Sequence, residues 1–254
     1  MAHLERACGV NVMSQGTVGA VVLAAGLSTR LGWPKQLLPL GGHTVLEATV
    51  AAVLASRAEP VVLVVNRQVA DALPALGRVA ADSGGDRSRL SVIVNPHPEQ
   101  GQSTSLRQGL RALLEGEPGI QGALVVLGDQ PLLPPTLLDR IIQRFLEESP
   151  RPAAVRPVYR GRPGHPVLLA RSLFPEVEEL TGDQGARRLL ERHRAAVVAV
   201  ETDCVAVIQD LDTWSDYLTL CRQAGVQPAA GPWAPQAPGS EPGSGGSGTG
   251  MRYF

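Results

Sequence analysis

Four short apolar runs constrain the fold of this chain more than any other feature: VGAVVLAA (18–25), PVVLVV (60–65), LSVIVN (90–95) and ALVVL (123–127). Runs that are apolar at nearly every position belong to strands covered on both faces, as in a parallel sheet sandwiched by helices. Between them the apolar period changes to that of a helix. TVLEATVAAVLASR (44–57) places apolar residues at 45, 46, 50, 53 and 54, and further helical patterns occupy 103–114 and 135–148. Beyond residue 150, VRPVY, HPVLL and AAVVAV read as strands, with helices near 184–194 and 213–223. The alternation predicts an α/β fold: a Rossmann-like, doubly wound, mostly parallel sheet with helices on both faces. Ligands of such folds bind beyond the carboxyl ends of the strands.

The two ends of the chain read differently. Residues 1–17 show no periodicity and are expected to form a flexible leader. From Val226 the sequence is dominated by Pro, Gly, Ala and Ser. Such a segment buries too little apolar surface to offset its ordering entropy, so 226–254 is expected to be a disordered tail. Residues 18–225 remain as a single domain, long enough for a sizeable core.

Lys and Arg number 23 against 24 Asp and Glu, a net charge of −1. That balance gives no electrostatic footprint for nucleic acid or for an acidic membrane. Aromatic residues make up only 4% of the chain, too few for a base-stacking platform. Cys8, Cys204 and Cys221 are scattered without a CxxC pair, which argues against a disulfide framework or a zinc site. No run approaches the roughly 20 apolar residues of a membrane span. The N-terminal stretch also lacks the apolar run of a signal peptide. A cytoplasmic location is expected, with no nucleic-acid or membrane partner.

The first strand runs directly into Leu23-Ala24-Ala25-Gly26-Leu27-Ser28-Thr29-Arg30-Leu31-Gly32-Trp33-Pro34-Lys35. Gly26 and Gly32 permit close backbone approach, Ser28 and Thr29 offer hydroxyls, and Arg30 and Lys35 bring two cations. Exposed N–H groups and two cations at a strand end suit a polyphosphate. The loop is neither a Walker A sequence nor a GxGxxG fingerprint. An ordinary turn with two solvated charges would use the same residue types.

Other strand ends carry further candidates. Gly128-Asp129-Gln130-Pro131 follows the fourth run, so Asp129 either faces the mouth of the site as a hard ligand for Mg²⁺ or caps the helix near 135. Asp210 and Asp212 stand in Ile208–Asp216; Asp210 reads as a metal carboxylate and Asp212 mainly as the cap of the next helix. Gly101 and Ser105 open a helix whose N-terminus would supply donors to a ribose or phosphate. His165 lies between Gly164 and Pro166 and is either structural or functional. In Thr181–Arg187, Arg187 suits a phosphate and Asp183 a helix cap.

LAAGLSTRLGWPKQLLPLGG (23–42) resembles the signature loop of the MobA-like nucleotidyltransferases, and among them the molybdenum cofactor cytidylyltransferases, whose pattern is LAAGxSxRxGxxKxLLP. Leu31 departs from it mildly, since Met is commoner there. The likeness extends to about residue 220 through GDQP, GxxxSLxxGL, GHPV, GDxGAR and a D-L-D-T-x-x-D run. It implies a nucleotide-diphospho-sugar transferase fold. It also implies transfer of CMP from CTP to the terminal phosphate of molybdopterin cofactor, with release of pyrophosphate.

By this resemblance Arg30, Lys35 and Asp129 are catalytic. Leu23, Ala24, Ala25, Gly26, Ser28, Arg30, Lys35, Gly101 and Ser105 bind nucleotide, and His165 and Arg187 bind the second substrate. Asp129 and Asp210 hold Mg²⁺, or Mn²⁺ in its place. LAAG rather than LAGG favours CTP over GTP. A recipient molybdoenzyme of the xanthine dehydrogenase type follows by the same analogy. The rival readings are a GTP-using or sugar- or alcohol-phosphate nucleotidyltransferase, a nicotine-blue-type oxidoreductase and a non-catalytic cofactor carrier.

Overall fold

The computed structural model describes residues 16–72, 89–184, 186–229 and 231. The four apolar runs form β1 (Val18–Ala24), β4 (Val61–Val65), β5 (Leu90–Val94) and β6 (Gly122–Leu127). They pair in parallel in the order β6-β1-β4-β5. From β1 the chain moves outward through β4 to β5, then returns with β6 to the other flank of β1. The connections leaving β1 and β6 therefore diverge, and the crevice between their carboxyl ends is the topological switch point.

The sheet continues past β6 through β9 (Val167–Ala170), β7 (Ala154–Tyr159) and β10 (Val197–Glu201). β9 is antiparallel to both neighbours, so the sheet is mixed although mostly parallel. A short β8 (Arg162–Pro163) pairs with β7, and β2 (Pro39–Leu40) with β3 (His43–Thr44) form a separate small hairpin.

Successive residues of β1 point to opposite faces, and each face has its own core. Ala20 and Val22 join a cluster with α1 (Val45–Leu54) and α4 (Pro135–Glu147). Val21 and Leu23 pack on the opposite face against α3 (Gln102–Gly116), α5 (Phe174–Glu178) and α6 (Arg187–Arg192). The short α2 (Arg67–Asp71) follows β4 and starts at Asn66, whose side chain accepts from the Val69 N–H. A third cluster joins α7 (Trp214–Ala224) to the β2–β3 hairpin, where the Tyr217 hydroxyl donates to the Pro39 carbonyl at 2.7 Å. This last helix fastens the chain's return next to the loop that follows β1.

Gly109, in the middle of α3, is there because the helix lies directly on the sheet. A Cβ at this position would stand 2.4 Å from Val21 Cγ1. β5 departs from the expectation of burial on both faces: as the edge strand it leaves Val92 46% and Val94 39% exposed. The helix expected over 184–194 is shorter because Gly182–Gln184 forms a 3-10 turn ahead of it.

Thr17, placed in the leader by sequence, accepts a hydrogen bond from the Gln121 N–H at 2.8 Å. At the other boundary Val226 packs on the third cluster. Residues 1–15 and nearly all of the tail lie outside the described residues. Among the described residues no helix is long and apolar enough to cross a membrane.

Candidate functional site

A cavity of about 520 Å³ opens at the switch point. One wall is the loop after β1, contributing Leu23, Ala25, Gly26, Ser28, Arg30 and Lys35. The facing wall is the start of α3 with Gly101, Gln102 and Ser105, and Asp129, Asp210 and Asp212 close the floor. A second cavity of about 240 Å³ shares Asp129 and Asp210 and continues between Gln130–Leu132, the 206–211 segment and α7.

The loop after β1 is held by its own polar atoms. Ser28 adopts φ 52°, its carbonyl accepts from Leu31 and Gly32 N–H at 3.1 Å, and its hydroxyl accepts from Lys35 N–H at 3.1 Å. Gln36 Nε2 donates to the Gly26 carbonyl at 3.2 Å, and Asn66 Nδ2 donates to the Ala25 carbonyl at 3.2 Å. Buried polar side chains thus fix the carbonyls of the turn and leave its rim toward the cavity. Sequence reading missed Gln36 and Asn66, because neither belongs to a motif with a mechanism of its own.

The charges converge on Lys35. Its Nζ lies 2.6 Å from Asp129 Oδ2 and 3.2 Å from Asp212 Oδ1, while Arg30 reaches Asp212 Oδ2 at 2.7 Å. Burial alone would lower the Lys35 pKa, but Asp129 and then Asp212 outweigh it and hold the ammonium above its ordinary value. Asp210 shows the opposite strain. Burial first, then the charges of Asp129 and Asp212, push its carboxyl upward against the pull of Lys35. The floor is a crowded set of carboxylates compensated by one well-buried lysine and one exposed arginine.

Asp129 and Asp212, each assigned in part to capping, do not do that work. α4 begins at Pro134 with no side-chain cap, and Asp129 is drawn to Lys35 instead. α7 is capped by Thr213 and Asp216 in a reciprocal box. The Asp212 side chain is left for Lys35 and Arg30, which corrects its reading as a cap. The Thr213-x-x-Asp216 spacing carries that information in sequence.

Ala24 is buried and lines neither cavity. Its methyl packs where Gly128 lets β6 close on β1, since a Cβ on Gly128 would stand 2.7 Å from Ala24 Cβ. Asp183 does not cap the helix after it. Its Oδ1 accepts from the Gln102 N–H at 3.1 Å, capping α3 across 81 residues. Gly101 makes this possible: its φ is 96°, and a Cβ there would meet the Gly182 carbonyl carbon at 2.3 Å. One backbone donor expected to face a ligand is therefore already used.

His165 sits beside the site rather than on the wall of either cavity. Its N–H donates to the Val207 carbonyl at 2.8 Å, and a Cβ on Gly164 would stand 2.2 Å from that same oxygen. The Gly164-His165 pair therefore pins the segment that carries Asp210. Burial and the nearby Arg156 lower the His165 pKa to about 4, against an opposing pull from Asp129. The ring is neutral at pH 7, and its buried Nδ1 has no hydrogen-bond partner among the described residues. Arg187 is not brought to the cavities; it is exposed on α6 and pairs with Glu191 at 3.0 Å.

Among the described residues no three His, Cys, Asp or Glu form a group able to hold a metal ion alone. Asp129 and Asp210 still fit a hard divalent cation that completes its shell with phosphates and water. Such an ion would offset burial and the repulsion from Asp129 and Asp212, which together raise the Asp210 pKa.

Comparison with known proteins agrees with this geometry. The MobA-like NTP transferase domain matches residues 20–197. The chain is 32% identical over 198 residues to purine catabolism protein PucB of Bacillus subtilis, covering 78% of this chain and 92% of that protein. It is 25% identical over 204 residues to molybdenum cofactor cytidylyltransferase of Escherichia coli, covering 80% and 94%. Protein Rv0371c of Mycobacterium tuberculosis superposes with a TM-score of 0.67 at 32% identity, over 82% of this chain and 100% of that one. Its manganese complex gives 0.65 at 30% identity, over 81% and 98%. With the family domain spanning most of the described fold, and the loop after β1 facing Asp129 across the switch point, this chain belongs to the MobA-like NTP transferase family of nucleotidyltransferases.

Proposed function

We propose that this protein transfers CMP from CTP to the terminal phosphate of molybdopterin cofactor, releasing pyrophosphate. The observation that carries the reading is the 520 Å³ cavity that joins a cation-bearing loop to Asp129 and Asp210. The identity to a molybdenum cofactor cytidylyltransferase supports the choice of substrates.

In this reading the triphosphate lies along Gly26–Lys35, with Ser28, Arg30 and Lys35 toward its oxygens and Ala25 beside the nucleoside. The acceptor enters from the 240 Å³ cavity. An oxygen of its phosphate monoester attacks the α-phosphorus, the bond from that phosphorus to the bridging oxygen breaks, and pyrophosphate leaves with the bonding electrons. A monoester is largely dianionic at neutral pH, so no strong general base is needed. Catalysis then rests on positioning and charge neutralisation.

Lys35 is kept protonated by Asp129 and Asp212 until a phosphate takes their place, and Arg30 supports the departing charge from the rim. Asp129 and Asp210 would hold Mg²⁺ or Mn²⁺, which supplies charge neutralisation at the phosphates; the manganese complex of a structural relative supports a divalent ion. His165, neutral and beside Asp129, is assigned to the acceptor side. Arg187, which pairs with Glu191 away from both cavities, is given no part in this transfer.

The recipient proposed for the product is a molybdoenzyme of the xanthine dehydrogenase type, a direction supported by the likeness to a purine catabolism protein. The test is pyrophosphate release with Mg²⁺ and molybdopterin cofactor, comparing CTP, GTP, ATP and UTP. Release with CTP alone is expected. Release with GTP alone overturns the base assignment, and no release with any nucleotide overturns the transfer.

A further inference from the structure

Arg156, the third residue of β7, is half-buried and forms no ion pair among the described residues. Its Nη2 donates to the Gly164 carbonyl at 3.4 Å, and its buried Nε has no partner among the described residues. Burial alone lowers its pKa, with no carboxylate pulling the other way. A partly buried charge left unpaired costs stability. Such charges concentrate at functional sites, where a ligand supplies the partner.

The topology brings this guanidinium to the reacting end of the sheet. β9 is antiparallel to both β6 and β7, so β7 runs in the direction of β6 and β1 and ends on the side of the switch point. Residues alternate between faces along β7, and Ala154 belongs to the cluster on the α3 face. Arg156 therefore lies on the face whose helix α3 forms a wall of the 520 Å³ cavity. It stands one step beyond the last β7–β9 pair, Val155–Leu168, beside the segment that carries His165 into β9. Burial and then the charge of Arg156 keep the His165 ring neutral, while Asp129 pulls the other way. The ring is thus within electrostatic reach of both. Its Nδ1, like Arg156 Nε, is buried without a partner among the described residues.

The other cations assigned to substrates are already engaged. Lys35 is held by Asp129 and Asp212, Arg30 by Asp212 and Arg187 by Glu191. We infer that Arg156 is the cation that binds the phosphate monoester of the acceptor, with the neutral His165 beside it, and so holds the attacking phosphate on the Asp129 side of the site. The planar fork of a guanidinium matches two phosphate oxygens. A neutral imidazole can stand next to that cation and still offer a hydrogen bond. The inference rests on the nucleotidyl-transfer reading, whose second substrate is a phosphate monoester, and holds whatever group that phosphate carries.

The first test is pyrophosphate release with Mg²⁺ and CTP at varied molybdopterin cofactor. Arg156→Gln is expected to raise the KM for the cofactor about 10- to 100-fold and to leave the KM for CTP unchanged, with Arg156→Lys in between. The second test needs no turnover. Inorganic phosphate is titrated into the full chain with EDTA and without nucleotide, and binding is read from the ¹⁵N-labelled His165 imidazole signal, identified by its loss in His165→Gln. A saturable shift is expected in the wild type, and one at least tenfold weaker in Arg156→Gln.

A structural role is separated by thermal unfolding. Because Arg156→Gln removes an uncompensated charge, it is expected to melt no lower than the wild type. A variant that melts clearly lower, or does not fold, shows the guanidinium to be paired within the protein and overturns the inference. So does an equal rise in KM for CTP and cofactor, a wild-type His165 signal that phosphate does not move, or a shift that survives Arg156→Gln. A wild type that releases no pyrophosphate with any nucleotide overturns the transfer reading, while the phosphate titration still decides whether Arg156 binds the anion.

Discussion

Asp129 and Lys35 form the innermost charge pair of the site, and the two demand different things of a substitution. Asp129→Asn preserves the size of the side chain and a contact to Lys35 at 2.6 Å, but removes the negative charge that a divalent cation would need. Turnover is expected to fall by about 10²–10³, the range seen when one preorganised electrostatic group is removed. Steady-state pyrophosphate release checks this, and undiminished turnover would remove Asp129 from the mechanism.

His165 gives a prediction of a different kind, in stability. Its folded pKa of about 4 lies below the usual 6.5, because burial and Arg156 oppose the charged ring. Between these values the unfolded chain binds a proton that the folded protein does not, so stability rises with pH across this window. The contribution is complete above about pH 6.5 and lost as pH falls toward 4, on the order of 3 kcal/mol at most. Urea midpoints at pH 7.5 and 5 measure the drop, and His165→Gln, which cannot titrate, should flatten it. A wild-type midpoint that does not move between these pH values would show the imidazole to be solvated.

At the scale of elements, the runs at β1, β4 and β6 were legible because burial on both faces leaves a sequence no polar position to spend. The antiparallel direction of β9 was not, since direction depends on the path of the chain rather than on the pattern of Val167–Ala170. The non-local cap of α3 was equally hidden: nothing near Gln102 announces that Asp183 will supply it. Asp212 was misread although a clue was present, because its partners Lys35 and Arg30 are distant in sequence while the Thr213-Asp216 box is local.

Gly109 belongs to this scale too. In an exposed helix, glycine to alanine stabilises by up to about 1 kcal/mol. Here α3 and β1 touch at the glycine, and the new methyl would lie 2.4 Å from Val21 Cγ1. Gly109→Ala is expected to destabilise by about 1–3 kcal/mol, the usual penalty of overpacking. Denaturant unfolding decides the sign, and a more stable variant would mean that the helix stands off the sheet.

Over the whole molecule, the site is where distant parts of the chain are stitched together. Lys35 lies just after β1, Asp129 after β6, and Asp212 lies 177 residues beyond Lys35, ahead of α7. In the free protein the Lys35 ammonium bridges Asp129 and Asp212, with Asp210 pushed toward protonation by burial and then by its charged neighbours. A bound triphosphate and a divalent cation would replace that strained contact with many, and would do so only in the folded chain. Ligand present at about 100 times its Kd adds roughly 2.7 kcal/mol to stability. For a chain of this size each kcal/mol shifts Tm by about 2–4 °C. Mg²⁺ and CTP together are therefore expected to raise Tm by about 5–10 °C, with little effect from CTP in the presence of EDTA. Asp129→Asn should lose most of the shift while keeping the fold, because its packing is unchanged. Thermal scans of the two proteins with and without chelator make the comparison. A shift with CTP that survives both EDTA and Asp129→Asn would place the triphosphate on Arg30 and Lys35 alone, and the carboxylate floor would then have a structural role only.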